Sequence, residues 1–293
     1  MKTAYPPSWS VNDLPFDTVD RGACRGDAQL FLLLASASFV EITSHLYADA
    51  LIDYFRPEVE IKTWLAEQWL AEETQHGVAL KRYVSAVWPE FDWELSYRDY
   101  YREYSQRCHR KQLGPTWALE MAARCVVETG TASLYAMLHQ LTSEPVLRAL
   151  TAVIKNDEIR HYKRFYNFFV RFRNHGQPDR STVARTLWKR ILEVDREDGY
   201  LAFKHVFATC HPAQGFHETD YKAFCLYYRR LAKRHYPYEM AATMLLRPLG
   251  LTPWLGDIAV SVLSAGAKQL TSRSLFPHRP LNPRNEETFL GAF

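Results

Sequence analysis

The stretch W69-L-A-E-E-T-Q-H-G77 sets Glu73 and His76 inside a run otherwise rich in tryptophan, leucine and alanine. Three residues apart on a helix, the two side chains share one face. N156-D-E-I-R-H161 repeats the spacing far downstream with Glu158 and His161. Whether the two faces meet decides the fold, because each pair follows a lone glutamate on the preceding apolar segment. Glu41 sits in F39-V-E-I-T-S44 and Glu128 in C125-V-V-E-T-G-T-A-S-L-Y135. Glu41 precedes Glu73 by 32 residues and Glu128 precedes Glu158 by 30. In an antiparallel hairpin with a short turn, each separation brings the glutamate level with its partner pair.

The rest of the chain fits hairpins. Glycine is sparse, at 12 residues, and prolines cluster between apolar-periodic segments, which favours an all-α chain. A leader over 1–26 precedes a first long helix from about Asp27 to Phe55. Pro57 opens a second to about Val87, stopped by Pro89. Residues 88–114 form a long connection with its own short helix over Ser96 to Lys111. Pro115 opens a third long helix to about Leu141. Ser143 is the expected N-cap of a fourth, which ends in N174-H-G-Q-P178. Shorter helices are expected over roughly 181–198, 218–235, 236–247 and 254–270, then a tail rich in Pro and Asn. Two hairpins joined by one long crossover is the ferritin-like arrangement of a four-helix bundle. The expected organisation is therefore a leader (1–26), a ferritin-like bundle (27–174), and accessory helices packed on it with a C-terminal tail (175–293).

Composition narrows the function classes. With 47% apolar and 24% charged residues, the chain can bury a sizeable core. A net charge of +3 is too small to argue for nucleic acid. The five cysteines are odd in number and form no CxxC, which excludes a disulfide scaffold and a zinc finger and suits a reducing cytoplasm. The N-terminus lacks the apolar run of a signal peptide. L30-F-L-L-L-A-S-A-S-F-V40 runs into Glu41, is too short to span a bilayer, and is expected as a buried core helix.

Four glutamates and two histidines in one bundle core need cations, since a buried ionised carboxylate otherwise neutralises. Two iron ions satisfy Glu41, Glu73, His76, Glu128, Glu158 and His161, with bridging carboxylates and one imidazole per metal. A closed zinc site would want thiolates or four protein ligands per metal. Alternatives remain for single residues. Glu41 could pair with His45 one turn along, and His45 could itself be a ligand. Glu120 competes with Glu128, although its spacing of 38 to Glu158 breaks the hairpin symmetry. Glu72 and Asp157 precede the two paired glutamates; they read either as solvent-facing acids or, Asp157 in particular, as a carboxylate that orients a ligating histidine through its other ring nitrogen.

These motifs resemble those of the soluble acyl-carrier-protein desaturases. W69-L-A-E-E-T-Q-H-G77 is similar to their W-T-A-E-E-N-R-H-G, N156-D-E-I-R-H161 to their A-D-E-K-R-H, and E128-T-G-T131 to their E-R-A-T. The resemblance covers roughly residues 30–170 and implies the same six ligands. It also implies that Thr131 lies close to where oxygen binds and that Trp69 lies on an electron path; the plain alternatives are a packing threonine and a core tryptophan. The chain departs from that family in its shorter Glu41–Glu73 spacing, its shorter length and the absence of a match over 175–293. It is better placed in the wider ferritin-like diiron oxygenase and desaturase group. Arylamine N-oxygenases of that group carry a further histidine where Ile154 stands here. The radical-generating subunit of ribonucleotide reductase carries a tyrosine where Leu80 stands, and rubrerythrins carry a cysteine-rich iron module.

The expected function is an O2-dependent oxidoreductase with two non-haem irons, a desaturase or hydroxylase. Its substrate would be apolar, an acyl group held on a carrier protein or coenzyme A, with Thr43, Leu46, Thr131 and Leu134 near it. Electrons would come from a ferredoxin-like donor, and a homodimer is compatible with this scheme. An N-oxygenase of the same fold, or a non-enzymatic iron-storage protein, are the alternatives.

Overall fold

The computed structural model describes residues 7–107, 113–176, 178–194 and 198–272, and among them all regular structure is helical. After a single turn, α1 (Arg21–Cys24), come α2 (Ala28–Ile42), α3 (Ser44–Tyr54), α4 (Val59–Trp64), α5 (Leu70–Val87), α6 (Trp93–Tyr104), α7 (Trp117–Leu141) and α8 (Pro145–Gly176). Then follow α9 (Arg180–Val194), α10 (Asp198–Cys210), α11 (Glu218–His235), α12 (Tyr238–Leu246) and α13 (Pro253–Ser272). The first hairpin packs α2 and α3 against α5, and the second packs α7 against α8 along their length. The connection through α6 runs between the hairpins. This is the ferritin-like four-helix bundle.

Local chemistry sets the boundaries. Asp27 caps α2 by accepting from the amides of Gln29 and Leu30, Asp92 caps α6, and Thr116 caps α7. The fourth long helix is capped differently from expectation. Its amides at Val146 and Leu147 donate to the carboxylate of Glu144, at 3.2 and 2.7 Å, rather than to Ser143. A carboxylate reaches two amides at once and adds charge where the helix dipole favours it.

Two expected long helices are interrupted. The first breaks at Thr43, whose hydroxyl donates to the Phe39 carbonyl at 2.6 Å. The second passes through a π-helical turn, Leu65–Trp69, between α4 and α5. Trp64 and Trp69 are both buried, each with its ring edge-on to Phe165. In an undistorted α-helix, residues five apart point about 140° away from each other. The wider turn returns Trp69 to the core ahead of Glu73.

Ile42, at the end of α2, meets α5 at Gly77. A Cβ at Gly77 would lie 2.4 Å from the Ile42 amide nitrogen, so only glycine allows this approach. The break in α2 and the turn of α5 that carries Glu73 and His76 are thereby held together.

The crossover helix was expected over Ser96 to Lys111 and occupies Trp93–Tyr104; Cys108 to Lys111 lie outside the described residues. Its aromatic face surrounds Phe39 with Trp93, Tyr97 and Tyr100, at ring separations of 5.1, 5.5 and 5.4 Å. The helix α10 was not expected at all. It packs on α2 and α6 through Leu201, Phe203 and Val206. The stretch Ala28–Tyr54 is, by length and composition, apolar enough to cross a bilayer, and 67% of its most apolar window is buried in the bundle.

The core is divided. One apolar cluster gathers Phe31, Leu34, Phe39, Tyr83, Leu147 and Ile154, among others; the second gathers Leu51, Phe55, Trp64, Trp69, Met121 and Phe165. The polar residues named in the sequence lie between them.

Candidate metal centre

Glu41, Glu73, His76, Glu128, Glu158 and His161 are all buried, at 6% exposure or less. They form two overlapping groups of four: Glu41, Glu73, His76 and Glu158, and Glu73, Glu128, Glu158 and His161. Within each group the potential ligand atoms lie within 4.8 Å of one another. Glu73 and Glu158 belong to both, as bridging carboxylates would.

Each histidine turns Nδ1 toward the cluster. His76 Nδ1 is 3.1 Å from Glu158 Oε1 and 3.9 Å from Glu41 Oε2. His161 Nδ1 is 3.0 Å from Glu73 Oε1 and 3.6 Å from Glu128 Oε2. Despite this proximity, neither Nδ1 nor Glu158 Oε1 makes a well-formed hydrogen bond. Orphaned buried atoms of this kind are costly, and a pair of divalent cations resolves all three while neutralising four carboxylates. The donor set, oxygen with one imidazole per position, suits iron. The residues therefore fit a two-metal centre.

The opposite ring nitrogens are fixed crosswise. His76 Nε2 lies 3.0 Å from Asp157 Oδ2, and His161 Nε2 lies 2.6 Å from Glu72 Oε2. Asp157, from α8, thus orients the histidine of α5, and Glu72, from α5, orients the histidine of α8. With Nε2–H donated to a carboxylate, the Nδ1 lone pair is left for a metal. Arg160 joins the two carboxylates, 2.5 Å from Asp157 Oδ1 and 3.2 Å from Glu72 Oε1. Asp157, expected either as a solvent-facing acid or as an orienting carboxylate, is 1% exposed and lies on His76 Nε2. Glu72 was left open, although the acid immediately before each paired glutamate, in E72-E73 and D157-E158, is a visible signal.

Charges in the metal-free cluster follow the geometry. Burial pulls the His76 and His161 pKa values down, but the carboxylates beside them, Asp157 and Glu158 for His76 and Glu128, Glu158 and Glu72 for His161, outweigh it and hold both well above the usual imidazole value. Burial, then repulsion from Glu73 and Glu158, pushes Glu41 well above the usual carboxylate value. Burial does the same to Glu128 against the opposing pull of the His161 imidazole nearby. Burial would raise Glu158 too, but the imidazoles of His161 and His76 close beside it win and lower it.

Thr131 donates to Glu158 Oε2 at 2.7 Å. Tyr135, fully buried, donates to Glu41 Oε1 at 2.5 Å. Tyr135 lies seven residues, or two turns, beyond Glu128 and so on its face, a spacing visible in the sequence. Trp69 is buried against Phe165 and its indole N–H has no partner. The tryptophan that is hydrogen-bonded toward a site histidine is instead Trp9. Its Nε1 donates to Asp157 Oδ2 at 2.7 Å, and its ring stacks parallel to His76 at 6.1 Å. Nothing in the sequence connects Trp9 with a site 148 residues away.

The competing residues are accounted for. His45 faces the Ile42 carbonyl and stacks on Tyr101, away from Glu41. Glu120 accepts from the Tyr47 hydroxyl and the Gly114 amide, both at 2.6 Å. A cavity of about 730 Å³ opens where α7 begins, lined by Trp117, Leu119, Phe172, Arg171 and Glu58 among others. It is bordered by none of Thr43, Leu46, Thr131 and Leu134, which were expected near a substrate.

No family model and no curated protein matches the chain. Among solved structures, an R2-like ligand-binding oxidase with an aerobically reconstituted Mn/Fe cofactor aligns at a TM-score of 0.48 and 16% identity, over 89% of this chain and 87% of that one. A single-residue mutant of such an oxidase, also with a Mn/Fe cofactor, aligns at 0.49 and 17% identity, over 89% and 88%.

Proposed function

We propose that the chain is an O2-dependent oxidoreductase with a non-haem two-metal centre, iron at both positions, acting on an organic substrate as a hydroxylase or desaturase. The observation that carries this reading is the pair of overlapping ligand groups with both imidazole Nδ1 atoms buried and unpartnered at their centre. Two irons, when bound, supply the redox chemistry with dioxygen that no side chain here can perform.

The chain's own residues do the rest. Asp157 and Glu72 hold the Nε2 protons and so fix which nitrogen of each histidine is free. Thr131 keeps its hydroxyl proton on Glu158 Oε2, leaving Glu158 Oε1 free. Tyr135 donates to Glu41 Oε1, so Glu41 offers Oε2 alone, and burial with the Glu41 carboxylate beside it keeps the proton on the phenol. The apolar clusters on both sides exclude water. An external donor, ferredoxin-like in the simplest scheme, would meet the chain near the half-buried Trp9, where a hydrogen-bonded line runs from surface to His76.

The test is anaerobic loading with iron(II), a metal count, and exposure to oxygen with absorption followed in time. Two irons per chain and a transient visible band are expected. Fewer than two irons with no band overturns the reading; uptake far beyond two per chain points to storage instead.

A further inference from the structure

Three side chains near the candidate centre carry buried hydrogen-bond donors without a partner, four donor atoms in all, and they lie on the same side of it. Arg124 is 3% exposed, and neither its Nε nor its Nη2 makes a hydrogen bond. Its neighbour Glu120 lies 3.4 Å from Nε, out of hydrogen-bond geometry, with one carboxylate oxygen on the Tyr47 hydroxyl and the other on the Gly114 amide. The guanidinium rests on the Tyr47 ring at 4.2 Å. The indole N–H of Trp69, also 3% exposed, and the hydroxyl of Ser44 are likewise buried without partners.

The positions are related. Arg124 is four residues before Glu128, Trp69 is four before Glu73, and Ser44 is three after Glu41. Arg124 and Trp69 each stand one helical turn before a candidate ligand, and Ser44, which opens α3 just beyond the break at Thr43, stands three residues past Glu41. α5 and α7 run in the direction opposite to α2 and α3, as the hairpins and crossover require. One turn back on the first two and one turn forward on the third is therefore the same end of the bundle, the end built from Trp64 and Phe165. Leaving these four buried donor atoms unsatisfied, two of them on a cation, is costly. An anionic group with several acceptor oxygens satisfies them together.

We propose that this end of the centre binds the carboxylate of a free organic acid, with Arg124 as its charge partner and Trp69 and Ser44 as further donors. This deepens the proposed function and rests on it for the substrate's role. It replaces a carrier-bound thioester, which has no anionic end to offer, with a small acid whose apolar part faces the metals. Arg124 is a specificity-determining residue in this account.

The experiment measures calorimetric binding of benzoate and octanoate, and of the matching primary amides, to the full chain loaded with redox-inert zinc(II) and to the metal-free chain. The acids are expected to bind at least about tenfold more tightly than the amides, as a charge-assisted hydrogen bond implies. Arg124→Met removes that preference, and Arg124→Lys keeps part of it. Because Arg124→Met strands the buried Glu120, the pair Glu120→Gln with Arg124→Met, which removes both charges, serves as a second variant judged by unchanged helicity; it too must lose the preference. Equal affinity for acid and amide, no binding of any of the four probes, or an acid preference that survives both variants overturns the proposal. The last result would mean that the acid sits on the metals. If the chain takes up no metal but the metal-free protein still prefers acids through Arg124, the anion site stands and the two-metal reading falls.

Discussion

His76 and His161 each give Nε2 to a carboxylate of the opposite helix and turn an unpartnered Nδ1 toward the candidate centre. This crossing gives a prediction that proximity in sequence would not. Asp157→Ala, on α8, should weaken metal binding at the His76 position by about 10- to 100-fold, while the His161 position keeps its affinity. Glu72→Ala should do the reverse. Metal titration of the two variants checks this; equal loss at both positions would contradict it. A second prediction concerns pH in the metal-free chain. His76, His161, Glu41 and Glu128 all have pKa values raised by folding. The histidine contribution is complete below the unfolded value of 6.5, that of the two glutamates below 4.5, and each is lost as pH rises through the raised folded values. Glu158, whose pKa is lowered, contributes in the opposite sense, but its stabilisation is present above 4.5 and is lost only in stronger acid. The metal-free protein should therefore be less stable in denaturant at pH 8.5 than at pH 5.5, and metal loading should remove that slope because metal binding releases the same protons. A metal-free midpoint that rises over this range would refute the assignment of charge.

Among the helices, the closest approach that fixes the site is between Gly77 of α5 and Ile42 at the end of α2. Gly77→Ala forces a methyl group into a space 2.4 Å from the Ile42 amide nitrogen. It should destabilise the fold by about 1–3 kcal/mol and displace Glu41, one residue before Ile42. Chemical denaturation and a metal count check both; a variant of unchanged stability that still holds two metals would show that α2 can move freely. Hairpins and spacing were legible because a helix repeats its face every three to four residues, so Glu73 with His76 and Glu158 with His161 declare an inward face. The break at Thr43 and the π-turn at Leu65–Trp69 were not legible, since both arise from packing against neighbours rather than from a breaker residue. The same holds for the cap: Ser143 is the commoner residue type, and only the fold shows that Glu144 reaches the amides. Helix α10 was missed because its burial depends on α2 and α6, which lie far back in the chain, α6 ending at Tyr104 and α10 beginning at Asp198.

Across the whole molecule, the polar centre separates two apolar clusters, so each cluster ends on charged side chains that must be neutralised. Metal should act as part of the folding free energy: bound at a hundred times its dissociation constant, it adds about 2.7 kcal/mol by mass action. Thermal unfolding with and without iron(II) under nitrogen should show that rise, and an unchanged transition would mean that the metal does not bind the folded chain. The six candidate ligands could be picked out together because they are chemically marked and regularly spaced, and the fold brings them within one cluster. Trp9, Tyr135 and Arg160 were not picked out, because they join the site through contacts made only in three dimensions. The most direct measurement is anomalous diffraction from crystals loaded with iron(II). Two iron peaks should lie between Glu73 and Glu158, one beside His76 Nδ1 and Glu41 and the other beside His161 Nδ1 and Glu128. A single peak, or iron bound only elsewhere on the chain, would contradict the account.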